Sequence, residues 1–397
     1  MSTRVPTHPF RILHCLRAPV GGLFRHVCDL AKAQSDAGYA VGVLCADKPN
    51  DRQTLERISE LAKHCELGVT RIGLGRMPGL SDVKALMATT YKLRELQPDV
   101  LHGHGAKGGL LARCASSSQP IARVYTPHGG SIHYAPNSPV GFMFGLAERL
   151  MLKRTDGLIL ESDFAQSVFE QRFGDLPANT QVVHNGLAES EFAPVSIKSD
   201  PADFLFLGEI RELKGIYTLL DAVAKIVARR PVTVDVAGDG PEMAAFASAV
   251  EARSLSHAVH ILGKVPARDA FARARAVLLP SHNDSFPYVA LEAAAAGKPL
   301  IATSTGGIPE IFGPLADRLI KPGDAQALQG AMEQFLENEP EYIRDAGDLR
   351  THVRNQFSLR AMAGGVTAVY ADSGLKQLGE PNGPSNMTSH AKLDAAE

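Results

Sequence analysis

Short apolar segments alternate with longer helical patterns along most of this 397-residue chain, and that rhythm limits the fold more than any single motif. In the first half the apolar segments are Phe10–Leu16, Ala40–Cys45, Val100–His102, Ile121–Thr126, Gly157–Leu160 and Gln181–His184. In the second they are Asp203–Leu207, Thr233–Ala237, Val259–Leu262, Ala276–Leu279, Pro299–Ala302 and Arg318–Ile320. Strand–helix alternation of this kind predicts parallel sheets flanked by helices. Two such series are visible. The seam between them, Phe192–Asp203, has two prolines, two serines and no apolar period. Two doubly wound α/β domains are expected, residues 1–195 and 196–372, with ligands in a cleft at the carboxyl ends of the strands. Ser358–Tyr370 reads as a late helix. Residues 373–397 are polar, with Gly, Pro, Ser and Asn, and read as a disordered tail.

Composition removes several function classes. A 45% hydrophobic and 21% charged chain is an ordinary globular one. Its formal net charge of −2 gives no general case for nucleic acid. Residues 1–196 carry 21 Lys and Arg against 18 Asp and Glu, a mild basic excess that suits an acidic lipid surface or a phosphate-bearing acceptor. The five cysteines, at 15, 28, 45, 65 and 114, have no CxxC and no metal-ligand spacing, so buried reduced thiols are expected. The start, MSTRVPTHPFR, has no apolar h-region, and no run of 18 apolar residues occurs. A cytoplasmic protein is the expectation.

The most informative stretch is HNDSFPYVALEAAAAGKPLIATSTGGIPE, residues 282–310. Asp284 precedes a second acid, Glu292, by eight positions. Pro287 suits the first helical position, where its missing N–H would be unpaired anyway. Phe286 and Pro287 then lead into amides of Tyr288 and Val289 at a helix N-terminus, a place that attracts an anion such as phosphate. One carboxylate for sugar hydroxyls, amides for a diphosphate and a second carboxylate for a ribose diol would fit a sugar nucleotide. A capped helix with two solvated acids reads the same residues equally well.

This stretch resembles the acid-x7-Glu motif of the retaining family 4 glycosyltransferases, which have the GT-B fold of two Rossmann-like domains facing across a cleft. That family usually has Glu first and Phe-Gly two positions on; here Asp284 and Phe286-Pro287 stand there. Other segments fit in order. The loop with Gly21 and Gly22 resembles the family's N-terminal glycine-rich loop, and TPHGG, Thr126 to Gly130, its post-strand His motif. The resemblance implies that His128 contacts the donor sugar or its phosphate, Lys214 the diphosphate, Asp284 the sugar hydroxyls and Glu292 the ribose. Arg211 is the nearest substitute for a family Arg whose position is occupied by Glu209. The loops at Gly238 and at Gly263-Lys264-Val265 also fit, the latter with backbone able to read a nucleobase edge; so do Asn185-Gly186 and Gly306–Glu310.

The resemblance implies a retaining transferase that moves a sugar from a nucleotide-diphosphate donor to a glycan or lipid-linked saccharide, in bacterial exopolysaccharide or lipopolysaccharide assembly. No Asp-x-Asp metal motif lies at a strand end, so no metal and no resident cofactor are expected. His102 and His104 are read as shaping the acceptor side. Pro139–Asp156 reads first as a core helix with a cationic end, and second as an amphipathic helix for peripheral contact with the inner face of the cell membrane. Two rivals remain: a sugar-nucleotide epimerase, and a non-catalytic sugar-nucleotide-binding subunit.

Overall fold

A computed structural model describes residues 10–129 and 139–373. It contains two parallel sheets. The first has strands β1 (Arg11–Leu16), β2 (Ala40–Ala46), β3 (Val69–Ile72), β4 (Val100–His104), β5 (Ala122–Thr126), β6 (Gly157–Leu160) and β7 (Thr180–Val182), in the order β3-β2-β1-β4-β5-β6-β7. The second has β8 (Ala202–Leu207), β9 (Val234–Ala237), β10 (Val259–Gly263), β11 (Ala274–Leu279) and β12 (Leu300–Ala302), in the order β10-β9-β8-β11-β12. Each order runs outward from its first strand in both directions, as in a doubly wound fold. Contact density divides the chain into two compact units. One holds residues 1–125, 154–157 and 368–397; the other holds 126–153 and 158–367.

Side chains of a strand alternate between the two faces of its sheet. In β8, Phe204 and Phe206 enter one hydrophobic cluster with Leu219, Val223, Val234 and Leu278. The intervening Leu205 enters a second cluster with Val277, Leu279, Leu291 and Ala294. Both faces are covered, which is why these strands read as unbroken apolar runs. The first sheet repeats the arrangement, Leu13 and Cys15 facing one cluster and Leu16 and Val43 another. All five cysteines are unpaired, and Cys15, Cys45 and Cys65 are buried. Burial pushes the Cys45 thiol up to about 11.

Two strand expectations need correction. Arg318–Ile320 is not a strand: Gly313–Arg318 is a 3-10 helix, and Ile320 makes one isolated bridge to Thr303. Val69–Ile72 is a strand that periodicity did not signal, because three of its four residues are half-exposed. The polar tail beyond Ser373 and the first nine residues lie outside the described residues.

One turn sets the geometry beneath the candidate site. The helix Ile216–Val227 starts at Gly215, whose φ is 74°. A Cβ there would stand 1.9 Å from the Pro280 carbonyl oxygen at the end of β11. Gly215→Ala should therefore destabilise the protein by about 2–3 kcal/mol, through clash and a left-handed backbone. Gly330→Ala, in an exposed stretch of helix with nothing near its Cβ, should stabilise by roughly 0.5–1 kcal/mol. Calorimetric melting of the two variants would test both signs.

Candidate active site

The loop from Ser281 to Pro287 leaves the carboxyl end of β11 and is held through its own backbone, by neighbouring amides and by the side chains of Thr303, Thr305 and Asn185. Thr303 Oγ1 donates to the Ser281 carbonyl at 2.6 Å, Thr305 Oγ1 to the His282 carbonyl at 3.0 Å, and the Gly307 amide to the Ser285 carbonyl at 2.7 Å. Gly306, at φ 57°, sits so close that a Cβ would lie 1.3 Å from the Asp284 carbonyl oxygen. Asn185 Nδ2 donates to the Phe286 carbonyl at 2.9 Å. The His282 amide donates to the Leu213 carbonyl at 2.9 Å, which brings the 3-10 turn Glu212–Lys214 alongside. Lys214 Nζ consequently meets Asp284 Oδ1 at 2.5 Å. Both side chains keep some exposure, so the pair can exchange partners with a ligand.

The helix that follows is Tyr288–Ala295. Pro287 is its N-cap, with ψ 126°, and not its first helical residue as its chemistry suggested; the Ala290 amide reaches back to the Pro287 carbonyl at 3.1 Å. Tyr288 and Val289 thus hold the first two amide positions, where the helix dipole favours an anion. Phe286 is buried against the His184 ring at 4.9 Å and the Phe357 ring at 5.4 Å, which fixes the approach to this helix. Glu292 is half-buried further along the same helix.

Two groups beside this loop escaped the sequence reading. His128 has φ 48°, rare for a residue with a side chain, and its Nδ1 lies 3.7 Å from Glu161 Oε1. The Glu161 side chain is 4% exposed and lies beside the Ser285 hydroxyl. Burial raises the Glu161 carboxyl to about 7, against smaller opposing effects of backbone groups and of Ser285. Glu310, the last residue of Gly306–Glu310, accepts from the Asp163 amide at 2.9 Å, the Phe164 amide at 3.0 Å and His184 Nε2 at 2.9 Å. Burial alone would raise its pKa; the His184 bond and the two amides outweigh this and lower it. Glu161 ends an apolar strand and looks like any strand-end acid. Glu310 and His184 each close a recognised motif, which was the available signal.

The other expected residues are placed as follows. Arg211 precedes the Lys214 turn, half-buried, and pairs with neither Glu209 nor Glu212 among the described residues. Gly238 follows β9 and donates to the Gly263 carbonyl at 2.7 Å. Lys264 is exposed, with Nζ 3.3 Å from Asp239 Oδ2, and Val265 packs on the core. These belong with Asp284 and His128 to one compact unit; Gly21 and Gly22 open the helix Gly21–Asp36 of the other. The strand expected over Val100–His102 runs on to His104. His102 and His104 both lie within β4 and are buried: His14 Nδ1 and His104 Nε2 share a hydrogen bond of 2.9 Å, and His102 Nδ1 and the Tyr370 hydroxyl one of 2.7 Å. Burial, only partly offset by Gln34, lowers His14 to about 4. Within single compact units two sets could hold a cation, His14 with His102 and His104, and Asp163 with His184 and Glu310, the ligand atoms of each set within 4.8 Å of one another. In both sets ring nitrogens or carboxylate oxygens are already hydrogen-bonded. In the helix Pro139–Leu152 the expected core position holds for one face: Glu148 and Leu152 are buried, Phe142, Leu146 and Leu150 exposed. No helix among the described residues is long and apolar enough to cross a membrane.

Two doubly wound sheets, with an anion-receptive helix start and flanking carboxylates at the carboxyl edge of the second, define a GT-B glycosyltransferase acting on nucleotide sugars. Residues 20–191 match the family model "Glycosyltransferase Family 4" and residues 188–351 that of "Glycosyl transferases group 1"; the chain belongs to this glycosyltransferase family. Glycogen synthase of Mycobacterium tuberculosis is 25% identical over 88% of this chain and 91% of its own. TuaC of Bacillus subtilis, provisionally described as a teichuronic acid biosynthesis glycosyltransferase, is 29% identical over 69% of this chain and 71% of its own. HepE of Anabaena, solved with UDP and glucose, has TM-score 0.76 and 18% identity over 91% of this chain and 99% of its own, a likeness of fold.

The raised Glu161 carboxyl carries a sign. The folded state holds its proton up to about pH 7, the unfolded state only to about 4.3, so this group lowers stability as pH rises through that window, and the loss is complete above it. Glu161→Gln should leave stability nearly unchanged at pH 4. At pH 8 it should raise it by up to about 3 kcal/mol relative to the parent, read as a melting-temperature difference that grows with pH.

Proposed function

We propose that this enzyme transfers a sugar, with retention of anomeric configuration and without a metal ion, from a nucleotide-diphosphate sugar to a saccharide or polyprenyl-diphosphate-linked acceptor of a cell-surface polysaccharide. The reading rests above all on Lys214 and Asp284 meeting beside the amides of Tyr288 and Val289, with Glu292 further along that helix. A uridine donor is the favoured choice, since the fold neighbour HepE was solved with UDP and glucose. TuaC, by its description, supports the polysaccharide role.

The chemistry follows from these groups. The acceptor hydroxyl attacks the anomeric carbon on the face the diphosphate is leaving. The bond from that carbon to the phosphate oxygen breaks, and the acceptor proton passes to the departing phosphate. Negative charge grows on the diphosphate, where Lys214, Arg211 and the helix amides stabilise it in place of a divalent ion. Asp284 holds sugar hydroxyls once Lys214 turns to phosphate, Glu292 holds the ribose, and His128 lies against the sugar with Glu161 behind it. Phe286, Pro287, Gly238, Lys264 and Val265 shape the nucleotide side, and Gly21 and Gly22 admit the acceptor or phosphate closely.

Thermal shift and nucleotide release with UDP-, GDP- and ADP-sugars in EDTA test this reading. One donor class should stabilise the protein; Lys214→Ala should lower kcat/KM by about 10²–10³-fold, and Glu292→Ala should weaken donor binding. Loss of all turnover in EDTA with recovery on Mg²⁺ would overturn metal independence. An inverted product anomer by NMR would overturn retention. Isomerised donor without acceptor would indicate an epimerase, and binding without turnover a supporting subunit.

A further inference from the structure

The largest exposed apolar feature among the described residues is one helix, Leu80–Leu96, in the unit that contains β1 to β4. Ala85, Thr89 and Leu93 are its buried side. Leu80, Val83, Met87 and Tyr91, spaced three to four apart, fall on the opposite side, and Met77 precedes them. These five side chains are between 55% and 82% exposed. A helix with an apolar outer stripe is unlike an ordinary solvated surface helix and marks a contact face.

The charges around this stripe are one-sided. Its acids are engaged: Asp82 holds Lys107 Nζ at 2.5 Å and Glu95 holds Lys92 at 2.9 Å. Arg76, Lys84 and Arg94 are exposed and have no ion pair among the described residues. Beside the helix opens a cavity of about 720 Å³ at the carboxyl ends of β1, β2 and β3. Arg17, Lys48, Arg76 and Lys84 line it, with Asp47 as the one acid. Arg76, Leu80 and Lys84 thus belong both to the cavity wall and to the helix region.

We propose that this face docks on an anionic lipid bilayer, the apolar stripe entering the interface and the basic cavity taking the phosphate of a lipid head group in the same leaflet. Apolar side chains supply burial among acyl chains, and the exposed cations Arg76, Lys84 and Arg94 supply attraction to anionic lipid. A second copy of the chain fits less well, since a two-fold contact through this face would set cations against cations. The inference rests on the proposed function only for the lipid-linked acceptor that docking would bring within reach. It also moves the membrane contact away from the Pro139–Leu152 helix, the segment that composition singles out.

The test is cosedimentation of the full chain with vesicles of phosphatidylcholine alone and with phosphatidylglycerol added. The chain should bind the anionic vesicles and much less the neutral ones. Leu80→Ser with Met87→Ser should weaken binding about tenfold or more. Arg76→Gln with Lys84→Gln should weaken it about fivefold per charge and blunt its salt dependence. These exposed substitutions should leave melting temperature and the UDP thermal shift unchanged, which separates failure here from failure of the donor site. The proposal is overturned by absent or equal binding to both vesicles, by unaltered binding of the Leu80/Met87 variant, or by loss of binding only with Phe142→Ser and Leu146→Ser. A dimer in ultracentrifugation that the Leu80/Met87 variant abolishes would overturn it too, assigning the face to a second copy.

Discussion

The carboxyl edge of the five-stranded sheet depends on backbone touching backbone. Gly306 lies against the Asp284 carbonyl and Gly215 against the Pro280 carbonyl, at distances that no side-chain-bearing residue could keep. Each contact nests one turn into another, so the loop after β11 is bounded on one side by Thr303–Gly307 and on the other by the Lys214 turn. Most of these bonds end on the loop's own carbonyls, so the holding does not use the side chains of Lys214 and Asp284, which meet each other instead.

The two-faced core explains why the groups collect at this edge. Alternate residues of β8 and β11 are committed to clusters on both faces of the sheet, and the one polar pair along them, Asp203 with Arg275, lies at their amino ends. Polar chemistry must therefore wait for the strand ends, where the chain turns into helices whose first amides are unpaired. The same logic fails in the first sheet in an instructive place. Parallel register sets His14 beside His102, so a polar layer is buried within the strands, tolerable because His14, His104, Gln34, His102 and Tyr370 satisfy one another.

Most of this architecture was legible in the residue pattern, for a physical reason. Central strands covered on both faces are mostly apolar, and such runs stand out; the half-exposed edge strand Val69–Ile72 does not. Arg318–Ile320 carries the apolar signature, but its chain is spent in a 3-10 turn and leaves a single bridge. Pro287 was displaced by one position because the cap, which needs an extended ψ, suits proline as well as the first turn does. The Asp284 to Glu292 segment could be read because its spacing is local. Glu161 could not: its meaning comes from His128 and Ser285, more than thirty and more than a hundred residues away in sequence. His104 was placed one step beyond its strand for the converse reason, since a glycine-flanked histidine looks like a strand end until the strand is seen to run on through it.

The cation of the turn beside the loop after β11, Lys214, is paired with Asp284. An arriving anion therefore meets a neutralised charge and has to compete for it. Chloride, offering nothing to the released carboxylate, would gain little from that exchange. On the function proposed above, a sugar nucleotide would offer both halves at once, phosphate to Lys214 and hydroxyls to Asp284, so that neither charge is left stranded. The pair would then act as a filter, screening the site against chloride while leaving it open to a ligand that carries acceptor and donor groups together.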